Sequence, residues 1–161
     1  MAISIRVARI SDTEDISNLT SQLGYEVDVS TVAARLSRIL LSSDQQFTVA
    51  ELDGCLAGWV HAVISEYIES DRFVMIGGLV VDKNHRMKGI GRRLMEHVEA
   101  WAKVQGCLLV RLWSSSTRTA SHRFYETLGY TNIKTQYSFI KSLDATQQQD
   151  VLLKFVPKID D

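Results

Sequence analysis

Between residues 85 and 91 the chain reads HRMKGIG: two glycines one residue apart, Gly89 and Gly91, behind two cations, Arg86 and Lys88. The apolar run GGLVVD (77–82) precedes this stretch, and a helix-forming segment, RRLMEHVEAWAKV (92–104), follows it. A strand that feeds a helix through a glycine turn can hold an anion. The first N–H groups of a helix have no intrahelical partner, and the helix dipole adds partial positive charge there. Glycine lets the backbone approach a phosphate closely. Arg86, Lys88 and Arg92 add side-chain cations. Residues 86–92 therefore have the chemistry to hold a pyrophosphate. A plain strand-to-helix turn accounts equally well for the glycine pair taken alone. Two familiar phosphate motifs do not fit. The P-loop needs Gly-Lys-Ser/Thr at its end, and the dinucleotide fingerprint needs Gly or Ala where Leu94 stands.

Other residues with chemical potential are scattered. His61 has an intrinsic pKa suited to proton transfer, although a lone strand histidine is more often structural. Glu51 lies near the end of a neighbouring strand. Tyr125, beside Phe124, reads on its own as a packing residue with a satisfied hydroxyl. Cys55 and Cys107 have no metal-site spacing and read as free, buried thiols.

The elements that must position these residues follow from periodicity. ISIRVAR (3–9) alternates as a strand, and SDTED (11–15) opens a helix that stops at Gly24. A second helix starts at Ser30 or Thr31 with Val32, Leu36, Ile39 and Leu40 on one face. QFTVAEL, DG and CLAGWVHAVI (46–64) predict a hairpin, 65–71 a polar loop, and 72–82 a strand buried on both faces. A helix over 91–105, a strand over 107–114 and a helix over 119–128 come next. Strands at about 130–134 and 136–142 complete the body. The order β-α-α-β-β-β-α-β-α-β-β predicts a mixed sheet with helices on its faces. With 161 residues, one domain suffices. The near balance of 18 basic and 19 acidic residues gives no electrostatic case for nucleic-acid binding. No apolar run has the length to span a membrane, and the N-terminus lacks a signal-peptide layout. A cytoplasmic protein is the expectation.

LVVDKNHRMKGIGRRLM (79–95) resembles the acetyl-CoA motif of the GNAT N-acetyltransferase superfamily: a strand ending V-V-D, then R/Q-x-x-G-x-G/A, then a helix. Arg86, Gly89 and Gly91 fill its defining positions. FYETLGY (124–130) resembles the family's second signature, F-Y-x-x-x-G-F/Y. The order of elements agrees over about residues 3–143. The resemblance implies an α/β (α+β) fold: a mostly antiparallel twisted sheet of about seven strands with splayed central strands and about four helices. The domain would cover 1–143, leaving 144–161 as a tail.

The implied activity is transfer of an acetyl group from acetyl-CoA, as co-substrate, to a primary amine of a small molecule or peptide by direct attack. A non-catalytic acyl-CoA sensor is the alternative. The implied pantetheine contacts are the strand backbone of Leu79, Val80 and Val81. The pyrophosphate contacts are the N–H groups of Met87, Lys88, Gly89, Ile90 and Gly91, with Arg86 and Arg92 nearby. The amide of Leu79 would polarise the thioester carbonyl, and Tyr125 would protonate or hydrogen-bond the leaving thiolate. No metal is implied.

Two positions depart from the family pattern. Gly77 stands where many members carry a glutamate that activates the amine through water, which leaves His61, Glu51 or ordered water as candidate bases. Arg118 stands where an asparagine is common, and could contact a cofactor phosphate. Loops 24–30 and 65–71 hold Tyr25, Glu26, Asp28, Glu66, Tyr67, Glu69 and Asp71, which would suit a cationic amine. The apolar VLLKFV (151–156) suggests an extra strand or a homodimer contact.

Overall fold

The computed structural model describes residues 2–144 and residue 146. They fall into two compact units, Met1–Trp113 and Ser114–Asp161. The first unit holds a five-stranded sheet in the order β1-β2-β3-β4-β5. Its strands are β1 (Ile3–Val7), β2 (Gln45–Leu52), β3 (Cys55–Tyr67), β4 (Ser70–Val81) and β5 (Val110–Arg111). The first four pair antiparallel, and β5 pairs parallel to β4. The helices of this unit are α1 (Thr13–Ser21), α2 (Val29–Leu41) and α3 (Ile90–Val104). The second unit holds α4 (Thr119–Thr127).

The two sheet faces receive different helices because side chains alternate along each strand. Phe47, Val49, Trp59 and Val80 join Ile16 and Leu19 of α1 and Val32 and Leu36 of α2 in one core cluster. Gly58 faces the other way, and a side chain there would meet Ile90 and Leu94 of α3. Helix α3 buries Ile90, Leu94, Met95, Val98 and Ala102 along one stripe. Each large apolar side chain so buried contributes roughly 1.5–3 kcal/mol, which fixes the N-terminus of α3 against β4. Helix α2 begins at Val29, not at Ser30 or Thr31 as expected, because the Asp28 carboxylate caps it, accepting from the Thr31 N–H at 2.9 Å.

A charged cluster ties β1 to β2 and the 3-10 turn Ile10–Asp12. The Arg6 guanidinium donates to both carboxylate oxygens of Asp12, at 2.7 and 2.9 Å, and to Glu51 at 2.8 Å. The hydrogen bond from Arg6 holds the Asp12 carboxyl below its usual range. A fork that engages two carboxylates in a partly buried place fixes geometry as well as charge.

Several expectations are corrected. Five strands form rather than about seven: residues 130–142, expected to carry two strands, adopt neither helix nor strand. Tyr137 and Phe139 are exposed there, 91% and 92%. Alternating polarity makes a strand only beside a paired edge, and among the described residues this segment has none. The last sheet strand is two residues long, not 107–114. The expected loop 65–71 is instead a tight hairpin in which Tyr67 pairs with Ser70. Its polar residues decorate an exposed strand end, closed by an edge-to-face contact of Tyr67 on Phe73. Both cysteines are free, but only Cys107 is buried, since Cys55 starts β3 in an exposed turn. VLLKFV lies outside the described residues.

Candidate active site

The site is best built from the bulge in β4. His61 of β3 pairs with Gly78 and Ala62 with Ile76, so Gly77 is the extra residue. A bulge re-aims neighbouring groups. Here it leaves room for two rings. A β-carbon on Gly77 would lie 3.0 Å from His61 Nδ1, and one on Gly78 would lie 2.9 Å from the Trp59 ring. The glycine pair thus permits the imidazole and the indole to lie against the strand. The His61 ring occupies the space beside the position where the family's glutamate is common.

The hydrogen bonding of His61 fixes what the ring can do. Its Nε2 lies 2.9 Å from Gln45 Oε1. A carbonyl oxygen only accepts, so Nε2 carries the proton and Nδ1, on the Gly77 side, presents a lone pair. Burial lowers the His61 pKa from its ordinary value and keeps the ring neutral near pH 7. Glu51, the other candidate base, is held by Arg6 and receives a hydrogen bond from Ser4 at 3.3 Å. That carboxylate belongs to the β1–β2 cluster.

The sheet register also determines which strand backbone is free. Antiparallel pairs alternate between hydrogen-bonded and non-hydrogen-bonded residues. Asp82 N–H donates to Ala57 C=O at 2.9 Å, so the groups of Val80 face β3 and those of Leu79 and Val81 face away. On that outer edge, Val74 N–H donates to Leu109 C=O at 2.9 Å. The pairing to β5 covers Val74 and Met75 only. Beyond Met75 no further pairing to β5 forms among the described residues, and the main-chain groups of Leu79 and Val81 face that unpaired edge. The Arg86 side chain reaches back to Val81 C=O at 3.4 Å. Of Leu79, Val80 and Val81, the register turns the main-chain groups of Leu79 and Val81 away from β3 and those of Val80 toward it.

The glycine turn has the conformation of an anion cradle. Met87 and Gly89 both take positive φ, 62° and 84°. A left-handed methionine is uncommon, and its side chain is fully exposed. Helix α3 starts at Gly89 without a side-chain cap. The first intrahelical bond runs from Arg93 N–H to Gly89 C=O at 3.1 Å, so the N–H groups of Ile90, Gly91 and Arg92 are donors without an intrahelical acceptor. Arg86, Lys88 and Arg92 are exposed around them, and residues 86–92 contain no acid. These features fit a pyrophosphate. The turn is anchored from α1: Gln22 donates to Asp82 Oδ2 at 3.1 Å and accepts from Lys83 N–H at 2.9 Å. Asp82 in turn accepts from Asn84 N–H, which lowers its pKa.

In the second unit, Tyr125 lies on α4 between the rings of Phe124 and Tyr130, at 5.1 and 5.9 Å. Burial raises its pKa, and the charge of Arg118 pulls it partly back. The phenol stays protonated through neutral pH. Arg118 occupies the N-cap position of α4, and its C=O accepts from His122 N–H at 3.1 Å.

Residue reading alone did not identify Gln45, Trp59, Gln22, Arg35 or Arg38 as parts of this neighbourhood. Trp59 had a signal: it precedes His61 by two residues and so shares its strand face.

The description "Acetyltransferase (GNAT) family" matches residues 13–130. The chain belongs to the GNAT acetyltransferase family. A Bacillus subtilis relative, "Uncharacterized N-acetyltransferase YhdJ", is 26% identical over 114 residues, 70% of this chain and 80% of its own length. Human N-acetylaspartate synthetase is 36% identical over 84 residues, 52% of this chain, and the matched part spans 27% of the synthetase. Among solved structures, AAC(6')-Iy in complex with a CoA-S-monomethyl-acetylneamine bisubstrate analog superposes with a TM-score of 0.80 at 23% identity, covering 88% of this chain and 99% of that one. The mixed, mostly antiparallel sheet with four helices is the GNAT fold. No described helix is long and apolar enough to cross a membrane.

Proposed function

We propose that the protein transfers an acetyl group from acetyl-CoA to the primary amine of a small molecule. The observation that carries this reading is the uncapped, glycine-opened start of α3 beside the free edge of β4. Backbone donors and cations suited to a pyrophosphate there adjoin strand backbone suited to an extended amide-bearing arm.

In this reading the Leu79 N–H donates to the thioester oxygen, where charge develops as the carbonyl carbon becomes tetrahedral. His61 Nδ1 takes the proton from the attacking nitrogen. The new C–N bond forms, the C–S bond breaks, and the sulfur leaves as a thiolate. Tyr125 is the proposed donor of the proton that completes the thiol. Its raised pKa keeps the phenol protonated but makes full proton transfer to a thiolate, whose conjugate acid has the lower pKa, uphill, so hydrogen bonding to sulfur accounts for part of its effect. Arg118 is proposed as an additional phosphate contact. A homodimer joined through 145–161 is a separate proposal, tested by light scattering of a chain truncated after Asp144.

The test is release of free thiol from acetyl-CoA in the presence of an amine panel, with the acetylated product identified by mass. Tight acetyl-CoA binding without thiol release would favour the non-catalytic sensor.

A further inference from the structure

A cavity of about 410 Å³ lies under α1 and α2, walled by strands β2 and β3. His61 and Trp59 form part of its wall, and Arg35 and Arg38 of α2 stand at its rim. We infer that this cavity receives the acceptor, and that the acceptor is a primary amine carrying an anionic group, a carboxylate or a phosphate, on an apolar body. The inference rests on the acetyl-transfer reading above and adds the acceptor's chemical class.

Three observations carry it. The first is charge. Arg35 and Arg38 are three residues apart on one helix and therefore neighbours on its surface. Both are exposed, and among the described residues neither has an ion-pair partner. The residues lining the cavity include no carboxylate. The nearby acid at the start of α2, Asp28, is committed to the cap, accepting from the Thr31 N–H and from the Ser30 and Thr31 hydroxyls. The acids of the 65–71 hairpin, Glu66 and Asp71, line a different groove with Arg72. A polyamine or an aminoglycoside would bring several cations to two arginines and meet no acid, contrary to what the loop composition suggested.

The second is an unsatisfied donor. Trp59 is only 6% exposed, and its Nε1–H has no hydrogen-bond partner. The indole N–H can only donate. A buried donor left unpaired is unfavourable, and an acceptor atom on a bound ligand supplies the missing partner. The third is position. His61 belongs to this wall and also abuts Gly77 on β4, two residues from Leu79. A nitrogen near His61 and an anionic group near Arg35 and Arg38 would thus lie within one cavity. Ile16, Leu36 and Phe47 supply apolar wall to the same cavity. The volume is of the size that holds a small metabolite.

The experiment uses matched acceptor pairs with the full-length protein and acetyl-CoA. L-leucine is set against isoamylamine, 6-aminohexanoate against pentylamine, and 2-aminoethyl phosphate against ethanolamine. The expected result is at least a tenfold higher kcat/KM for the anionic member of one or more pairs; which pairs respond separates carboxylate from phosphate. Arg35→Glu and Arg38→Glu, both at exposed positions that leave the core intact, are expected to remove or reverse that preference. A second readout needs no turnover. The Trp59 indole N–H resonance, assigned by its loss in Trp59→Phe, is expected to shift on titration with the preferred anionic amine in the presence of CoA. Acetylation of the uncharged-tail amines with equal or better efficiency, unaffected by charge reversal, overturns the acceptor class while leaving acetyl transfer standing. An indole shift without any thiol release overturns acetyl transfer and supports the cavity as an anion site. Neither turnover nor a shift overturns both.

Discussion

Replacing Gly77 by alanine adds a single methyl group beside the proposed base. The three atoms nearest to that methyl all belong to the His61 ring, with Nδ1 at 3.0 Å. Ordinary contact begins near 3.4 Å, so the ring must yield by a few tenths of an ångström, and it must do so while held by Gln45 at 2.9 Å. The atom abutted is the one that carries the lone pair. Complete loss of a positioned base costs about 10²- to 10⁴-fold, and a misplacement of 1 Å can cost about 10²-fold. The expected fall in kcat for Gly77→Ala is therefore about 10- to 10²-fold, or roughly 1.4–2.8 kcal/mol of barrier. Stability should change little, because Gly77 does not take a positive φ and alanine restricts the unfolded chain, a gain of about 0.4–1 kcal/mol. The assay is initial-rate thiol release with both substrates varied, alongside thermal unfolding. A further check exploits the vacated space: in a His61→Ala background, Gly77→Glu should recover activity by placing a carboxylate where the ring had been. Wild-type kcat in a folded Gly77→Ala variant would refute the role given to His61 Nδ1.

The remaining expectations concern the base, the acid and the turn. His61 must be neutral to accept a proton, and burial lowers its pKa. The acidic limb of kcat/KM should thus fall below pH 6.5, the ordinary histidine value, and vanish in His61→Gln, whose residual rate should be down about 10²- to 10⁴-fold. The same depressed pKa makes the folded state resist protonation, so the stability it contributes is present above pH 6.5 and is lost as pH falls through the folded pKa; an acid titration of Tm in wild type and His61→Gln checks this. Tyr125→Phe should lower turnover by about 10- to 10⁴-fold with little change in acetyl-CoA affinity, and full activity would reduce Tyr125 to a packing residue. Gly89→Glu should abolish acetyl-CoA binding measured by calorimetry. A side chain at Gly89 meets no atom within 4 Å, so the structural cost is confined to the left-handed φ of 84°, about 1–2 kcal/mol.

The glycine turn was legible because its chemistry is written in residue types: Gly89 for a positive φ, cations around it, and a helix immediately after. The helices α1 to α4 were legible to within a few residues because apolar periodicity and the glycines that follow helices are local, although the Asp28 cap of α2 was not read. The His61 pocket was not. It depends on a bulge at Gly77, and a bulge is a property of two strands in register rather than of one. MIGGLVV announces only that side chains are missing; the rings that fill the space come from β3. The two absent C-terminal strands show the converse failure. TNIKTQYSFI (131–140) has a strand's alternation, but alternation does not supply an edge to pair with. Strand β5 was read too long because CLLVRLWS is apolar throughout its first half, whereas its pairing to β4 covers only Val110 and Arg111. Arg35 and Arg38 looked like solvated helix charges in sequence. Only the packing of α2 over Trp59 and His61 brings them to a cavity rim.

The most direct test of acetyl transfer at this site is a steady-state measurement of free thiol released from acetyl-CoA by wild-type protein, with and without amine acceptors. The expected result is amine-dependent release, matched mole for mole by acetylated amine and suppressed together by Gly89→Glu and His61→Gln. Saturable acetyl-CoA binding with no amine-dependent thiol release across the panel would contradict it.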